Sequence, residues 1–489
     1  MNNWLVVAPV LVPLLGVLLT LVTARQPQRQ ARLSLAFAGI FLASAIVLLA
    51  GTAGGQSFEA RFGGWPAPAA IAFAIDRLGA AMLTVSGVVL VAVLIFPSHG
   101  NGRGGRSPWL HPLLHGLMTG VGGAFSSADL FNLYVWFEVM LISALGLIVI
   151  GARRTHLEAG LKYLVLNLVG TMMLLIAVGG IYGLTGQLNF SAIGMTLDRM
   201  GDAPLAQAYV ALLLIALLVK AGAFPFFFWL PAAYPNLPTP ILALFAGLLT
   251  KVGAYAVLRT AGQIAPVPAA GLLEPLGWIA VATMLAGVLG AAHHWDTRRI
   301  LSFHVISQIG YILLGIALGT AAGLAAALFY TLHHIIVKAN LFLLGGLIRR
   351  VTGSHDLRRS GGLFRSHPRL AALFAIPAAS LVGVPLLSGF WAKLLVVREC
   401  FAGGNYLWGA AALLVGGLTL YSMLKLWIEA FWKPRPEGLT APVAAIPTRA
   451  WLSCGALAAI TLAIGIHPQP LLDFSTAAVS AMPLAGGSR

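Results

Sequence analysis

Long apolar stretches, each near 20 residues, alternate with short polar breaks along the whole chain. About 20 apolar residues are what one helix needs to cross a bilayer. Fourteen such spans are predicted, at 4–23, 33–50, 73–96, 111–127, 129–150, 161–184, 205–231, 238–259, 272–292, 299–319, 322–348, 370–398, 406–432 and 449–467. The pattern therefore gives an all-α, polytopic membrane protein of 14 transmembrane helices. The first run has the length of a secretory leader, but no basic residue precedes it. Arg25, Arg29 and Arg32 follow it, so it reads as a retained helix that starts outside.

Orientation follows from the basic residues. With the N-terminus outside, the inward loops hold Arg25, Arg29, Arg32, Arg103, Arg106, Arg153, Arg154, Lys162, Arg298, Arg299, Arg349, Arg350, Arg358, Arg359, Arg365, Arg369, Lys433, Arg435 and Arg449, which makes 19. The outward segments hold five, Arg61, Arg199, Arg259, Arg398 and Arg489. One span more or fewer would scramble that asymmetry, so the count and the topology support each other. Both termini are expected outside, in a multi-pass protein of the plasma or inner membrane. The longest inward loop, 349–369, is most simply a topology anchor at an anionic leaflet, with partner docking as the other reading.

Two spans carry a similar interruption. The seventh reads KAGAFPFFFWLP at 220–231 and the twelfth GVPLLSGFWAK at 383–393. Proline removes a backbone donor and clashes with the preceding turn, so each helix should open there. Irregular backbone at membrane depth survives only inside protein or beside a watery cavity. Two ordinary kinks are the plain reading. Paired interruptions in corresponding places point instead to an inverted-repeat transporter. Five spans per unit would invert the second unit, giving two inverted five-helix repeats, with helices 7 and 12 discontinuous. The expected divisions are 1–110 for helices 1–3, 111–260 for the first repeat, 261–433 for the second, and 434–489 for helix 14 and the tail.

Composition sharpens this picture. Hydrophobic residues make up 59% of the 489 and charged ones 9%, a balance no soluble core needs. The net charge of +16 could suggest nucleic acid, but the basic residues sort by membrane side, so no nucleic-acid partner is expected. Cys400 and Cys454 have no metal spacing and read as structural thiols. There is no phosphate loop, dinucleotide fingerprint, flavin, haem or nucleophile site, so no cofactor and no metal is expected.

The lysines are the informative residues. Of seven, five (Lys220, Lys251, Lys338, Lys393 and Lys425) lie in or against apolar runs, while nearly all 23 arginines fall in the breaks. Ionisable groups in hydrocarbon are costly and are usually kept for a pathway or relay. Lysine gives up its proton when buried, and arginine does not. The arrangement suits proton movement.

Glu138 is the most deeply placed carboxylate, mid-span in FNLYVWFEVMLI at 131–142, and Lys220 is its natural partner. A static ion pair is the bland reading and weak evidence for stability. A switchable pair is the alternative, because both members can change protonation. Lys251, about eight residues from the nearer helix end, is too deep to snorkel and is a candidate relay lysine. His334 and Lys338 are four apart and share one helix face. Histidine shuttles protons near neutral pH. Adjacent His333 points elsewhere, and no third ligand has metal spacing. His304 could link this group to the cytoplasm or be a solvated helix-end histidine. Lys393, two turns beyond the second break, is the expected terminal carrier. Lys425 and Glu429 read as a structural pair. Asp76, Arg77 and Asp129 read as interface residues at helix starts.

Several of these stretches together resemble a known family. Residues 131–142, the run EAGLKYLVLN at 158–167, the segment 220–231, SFHVISQIGY at 302–311 and 334–340 look like the antiporter-like subunits shared by respiratory complex I and the Mrp cation/proton antiporters. The likeness covers essentially the whole chain. Within it, FNLYVWFE at 131–138 and FPFFFWLP at 224–231 are most similar to the Mrp Na⁺/H⁺ antiporter D-subunit branch. The resemblance implies 14 helices with the inverted repeat, a Glu138–Lys220 pair, a central Lys251, a polar helix with His334 and Lys338, and a terminal Lys393. It also implies partner subunits in a hetero-oligomeric antiporter complex, with H⁺ and Na⁺ or another monovalent cation as cargo. The chain ends soon after the fourteenth predicted span, so the long C-terminal extension of the family's largest members is not expected. The expected function is a proton-translocating subunit of a cation/proton antiporter, a transporter rather than an enzyme. A proton-pumping subunit of an NADH dehydrogenase or membrane-bound hydrogenase is the nearest alternative, and an inactive scaffold is a third.

Overall fold

The computed structural model describes residues 4–62, 71–97, 107–201, 203–436, 445–480 and 482. Arg103, Arg106 and Arg489, three of the charges used for orientation, lie outside the described residues. The chain begins with α1 (Trp4–Val22) and α2 (Pro27–Thr52), a hairpin of β1 (Phe58–Phe62) and β2 (Ile71–Ile75), then α3 (Arg77–Ile95), α4 (Leu110–Ser126), α5 (Leu130–Val149) and α6 (Arg154–Thr185). It continues through α7 (Phe190–Met200), α8 (Pro204–Ala221), the short α9 (Trp229–Ala233), α10 (Thr239–Arg259) and the short α11 (Pro266–Ala270). Next come α12 (Leu273–His293), α13 (Thr297–Ala317), α14 (Ala321–Thr352), the single turn α15 (Leu363–Ser366), α16 (Pro368–Val382), α17 (Ser388–Ala402), α18 (Tyr406–Trp427), α19 (Thr448–Ile466) and α20 (Gln469–Val479).

Among the described residues, 12 helices are long and apolar enough to cross a bilayer, where the hydrophobic pattern predicts 14 spans. The difference lies in α4, which has 17 residues, and in the twelfth span, which is two pieces of 15 residues each. The all-α expectation also needs correction. The predicted third span begins with β2, and its helix starts only at Arg77, capped by the Asp76 side chain on the Gly79 amide. Strand β1 pairs antiparallel with β2, from Phe58 opposite Ile75 to Phe62 opposite Ile71. Helices α7 and α20 lie outside the predicted spans.

Three helices form the centre. The spans containing α10, α13 and α14 are almost wholly buried, whereas α2, α6, α18 and α19 show much of their apolar surface. Exposed Leu, Ile and Val on the outer helices need a nonpolar surrounding, which lipid supplies. Glycine lets the central helices close up. A Cβ on Gly253 of α10 would come within 2.5 Å of the Ala221 nitrogen of α8, and one on Gly287 of α12 within 2.3 Å of the Ser307 nitrogen of α13.

Both interrupted spans open where their prolines indicate. Helix α8 stops at Gly222 (φ +71°), and irregular backbone runs to Phe228 before α9 begins. Helix α16 stops at Gly383 (φ +99°), and α17 restarts at Ser388. Helix ends leave backbone groups unpaired. Thr283 meets one of them, its hydroxyl accepting from the Phe224 amide at 2.9 Å.

At the end of the bundle that carries the hairpin, Arg259 departs from its expected part as an exposed topology charge. It is 4% exposed. Its guanidinium donates to both Asp76 carboxylate oxygens at 2.6 Å, to Gln263 Oε1 at 2.9 Å and, through Nε, to the Tyr255 hydroxyl at 3.0 Å. This pair ties the end of α10 to the start of α3. Burial alone would raise the Asp76 pKa, but the Arg259 charge and hydrogen bonds outweigh it and hold the carboxyl below its ordinary range.

Removing one member of a buried pair strands the other. Arg259→Met should cost about 3 kcal/mol, the lower end for such a break because Asp76 keeps some solvent contact. A fall in the melting temperature of the purified protein measures it, and an unchanged value would refute the tie. A depressed carboxyl stabilises the fold above its unfolded pKa, and that stabilisation is lost as pH falls through the folded value. Acidification below about pH 4 should therefore lower the wild-type melting temperature. Asp76→Asn should lack this part of the decline.

Candidate functional site

The first cluster joins three helices. Glu138 lies on α5, Thr171 on α6 and Lys220 on the last turn of α8. Lys220 Nζ donates to Thr171 Oγ1 at 2.7 Å and to the Asn167 carbonyl at 3.2 Å. The Thr171 hydroxyl donates to Glu138 Oε1 at 2.6 Å. The direct Lys220–Glu138 separation is 3.9 Å, too long for a hydrogen bond. The expected pair therefore exists, with a hydroxyl between its members. Lys220 is buried, Glu138 is 25% exposed along its side chain, and the ammonium lies 5.8 Å from the Phe137 ring centroid.

Lys251 follows on α10, fully buried. Its Nζ donates to the Ala246 carbonyl at 2.5 Å. Two residues on, Gly253 packs against the backbone of Lys220 and Ala221, which brings the two lysine-bearing helices as close as backbones allow. On its other side α10 meets α14. Gly247 lies against the Ile335 carbonyl and Ala339, the residues that directly follow His334 and Lys338.

His334 and Lys338 are fully buried on α14. Lys338 Nζ reaches the Leu301 carbonyl of α13 at 3.4 Å. Neither His334 ring nitrogen has a protein partner among the described residues. The same holds for both Asn340 amide atoms, Thr250 Oγ1, Ser307 Oγ and Gln308 Nε2. Buried polar groups are almost always hydrogen-bonded, and water serves where protein does not. Helix α14 packs against α10, α13 and α17, so the helix that carries His334 and Lys338 touches those that carry Lys251 and Lys393.

Lys393 completes the series at the second break. Its Nζ donates at 2.8 Å to the Val382 carbonyl, on the last turn of α16, and lies 5.2 Å from the Tyr311 ring centroid. His333 does not join its neighbour. Its Nδ1 is 2.7 Å from Ser388 Oγ at the start of α17, and Ser388 is 3.1 Å from Ser380 Oγ. Tyr330 stacks on Tyr311 and bonds Gln308 Oε1, closing the wall between α13 and α14.

Two minor expectations change. His304 is fully buried, two turns inside α13, and its Nε2 is 2.5 Å from Ser422 Oγ of α18, so it is no solvated helix-end residue. Lys425 does not bond Glu429, which pairs with Lys433 instead. Lys425 Nζ donates to the Ala292 and His294 carbonyls at 2.7 Å each, capping the end of α12. Cations are favoured at helix C-termini. Sequence reasoning does not single out Thr171, Ser380, Ser388 or Tyr311. Thr171 has one available signal, since it lies one turn beyond Asn167 of the EAGLKYLVLN run on the same helix face.

The close approach at Gly253 is testable. Gly253→Ala places a methyl into the α8 backbone and should cost about 1–3 kcal/mol through overpacking. Gly247→Ala meets nothing nearer than 3.5 Å and should be tolerated. Melting temperatures of the two variants check this, and equal effects would refute it.

Comparison with known proteins adds four findings. Residues 127–419 match the family profile described as NADH:quinone oxidoreductase/Mrp antiporter, transmembrane. The D-subunit of the Na(+)/H(+) antiporter of Alkalihalophilus pseudofirmus is 37% identical over 479 residues, 97% of this chain and 96% of that protein. In solved structures, a chain of the Mrp complex from Dietzia sp. superposes with a TM-score of 0.90 at 31% identity, covering 98% of this chain and 97% of that one. A chain of the membrane-bound sulfane sulfur reductase, an archaeal respiratory membrane complex, gives 0.87 at 25% identity, with 98% and 97% coverage.

Proposed function

The chain belongs to the NADH:quinone oxidoreductase/Mrp antiporter family of membrane proteins, and from that premise we propose that it is the proton-translocating subunit of a multisubunit Na⁺/H⁺ antiporter. It is a secondary transporter subunit rather than an enzyme, and it works with partner subunits in the cell membrane. One observation carries the reading. Lys220, Lys251, His334 and Lys338 are buried, half-buried Glu138 and Lys393 stand at either end of them, and the helices that carry successive members pack on one another. The unpartnered buried polar atoms of α10, α13 and α14, His334 among them, support a hydrated path between Lys251 and Lys393.

In this mechanism a proton enters one half, passes from Lys220 to Lys251, on to His334 or Lys338 and then Lys393, and leaves on the opposite side. A carboxylate near an ammonium favours the charged form, and its withdrawal lets the proton go. The Glu138–Lys220 contact is the part that opens and closes. Each charge moved through the membrane exchanges about 2.3 kcal/mol per 100 mV with the field, enough to couple two ion flows.

The finer architecture belongs to the same reading. Helix α4 and the α16–α17 pair cross the bilayer alongside the 12 long helices, making 14 crossings. Helices from α4 to α10 and from α12 to α18 form two inverted units, each holding one broken helix. The arginine-rich end faces the cytoplasm and both termini face out. A proton-pumping subunit of a redox complex remains the second reading, favoured by the likeness to the archaeal respiratory complex.

Lys220→Ala and Glu138→Ala should each abolish antiport by the whole complex in vesicles, read with a pH dye on adding Na⁺ or K⁺, while the complex still assembles. Full activity in either would refute the relay. Replacing Lys251, Lys338 or Lys393 with Met should have the same effect. If all three variants stay active, the chain is a scaffold. Topology has its own test. A cysteine introduced at Ser354 should react with an impermeant maleimide in inside-out vesicles and not in intact cells. Labelling in intact cells would invert the orientation. The native Cys400 and Cys454 are buried and give little background.

A further inference from the structure

We propose that Thr171 is itself a proton carrier, the hydroxyl through which Lys220 and Glu138 exchange a proton. The inference rests on the relay reading above and names an atom that the reading did not contain. Valence fixes the direction of the two hydrogen bonds. An ammonium can only donate, so Thr171 Oγ1 must accept from Lys220. The hydroxyl has one proton, and it is aimed at Glu138 Oε1, 2.6 Å away. The three groups form a wire of 2.7 and 2.6 Å, while the direct gap of 3.9 Å is too long for transfer through a hydrogen bond.

The threonine is held against its local preference. A helical threonine ordinarily turns its hydroxyl back to the carbonyl four residues earlier. Thr20, Thr119, Thr283, Thr331, Thr419 and Thr461 all do so here, at 2.6–2.9 Å. Thr171 leaves the Asn167 carbonyl to Lys220 and directs its proton across the helix interface. The neighbouring glycine makes this possible. A Cβ on Gly170 would come within 2.8 Å of Val219 Cγ1, so its absence lets α6 and α8 close up beside Lys220. Burial completes the arrangement, since Thr171 is 1% exposed and Lys220 6%.

The step balances. A Lys220 N–H bond breaks as a bond forms from that hydrogen to Thr171 Oγ1. The threonine's original O–H bond breaks as Glu138 Oε1 gains the proton. Ammonium and carboxylate become amine and carboxylic acid, threonine ends neutral, and net charge is unchanged. The reverse step reloads Lys220. No oxidant or other reactant is needed. The hydroxyl thus lets the pair neutralise without Lys220 swinging across the gap.

The test uses the whole complex in vesicles, with antiport read by pH dye on adding Na⁺ or K⁺ and assembly checked by co-purification. Thr171→Val keeps the shape and removes the hydroxyl. It should lower the antiport rate by a factor on the order of 10² in an assembled complex. Thr171→Ser restores a hydroxyl and should return the rate to near wild type. Wild-type activity in Thr171→Val overturns the proposal, and so does equal loss in Thr171→Val and Thr171→Ser, which would make the role steric. If Thr171→Val does not assemble, Thr171→Ala against Thr171→Ser decides on the same terms. Glu138→Gln separates the two levels. If it keeps full antiport, the relay reading fails. If it loses activity while Thr171→Val keeps it, only the threonine step fails.

Discussion

An amine inside a membrane needs a partner that suits it both with and without its extra proton, and this constraint organises the molecule. All five lysines of the apolar runs meet it in one way, by donating to a main-chain carbonyl. Lys220 uses Asn167, Lys251 uses Ala246, Lys338 uses Leu301, Lys393 uses Val382 and Lys425 uses Ala292 and His294. A carbonyl dipole accepts from an ammonium and, more weakly, from a neutral amine, which still has N–H groups to donate. A carboxylate discriminates far more strongly, because a full counter-charge favours the ammonium over the amine. Carbonyl partners thus hold each nitrogen in place while leaving its proton free to leave. Only Lys220 among the five also has an acid within ion-pair distance among the described residues, and there a hydroxyl intervenes.

The broken helices serve the same constraint. Carbonyls within an unbroken helix are largely committed to backbone bonds, so extra acceptors are most available at helix ends. The break after α16 supplies Val382 to Lys393, and the natural end of α12 supplies Ala292 and His294 to Lys425, whereas Asn167, Ala246 and Leu301 are carbonyls within helices. Interrupting a helix at membrane depth creates such ends where chemistry can use them, at the cost of unpaired groups elsewhere. Neighbours meet part of that cost, Thr283 at Phe224 and Ser380 at Gly389. Close packing through Gly253 and Gly170 then holds the lysine-bearing pieces against helices that carry the next group.

Much of this is legible in the sequence because charge in hydrocarbon is rare. Glu138, Lys220, Lys251, Lys338 and Lys393 stand out by scarcity alone, and the prolines at 225 and 385 mark both breaks. What stays hidden is carried by common residues or by distance along the chain. Thr171 is one of many helical threonines, and nothing local says that its hydroxyl faces a neighbour. The hairpin is hidden by the apolar run that follows it, since 73–75 reads as the start of a span when the partner strand 58–62 is ignored. Helix α7 has a signal, with Phe190, Ile193, Gly194 and Leu197 buried at helical spacing, but it is too short and mixed to register as a crossing. Arg259 resembles an anchor because arginines at span ends usually are, and its partner Asp76 lies 183 residues away.

Arg259 also shows why the lysines are lysines. It is the one buried arginine among the described residues, and its surroundings are built oppositely. Four hydrogen bonds hold its guanidinium, two of them to a single carboxylate, with Tyr255 and Gln263 taking the others. Arginine does not lose its proton in proteins, so a buried one must be neutralised permanently, and a bidentate acid does this best. Such a contact is a tie. Lys251, about two turns back along α10, has no acid bonded to it among the described residues and rests on one carbonyl. The two residues experience similar burial, yet one is fixed by a full counter-charge and the other is left able to discharge. The difference in partners, more than the burial itself, separates a structural cation from one that can pass its proton on.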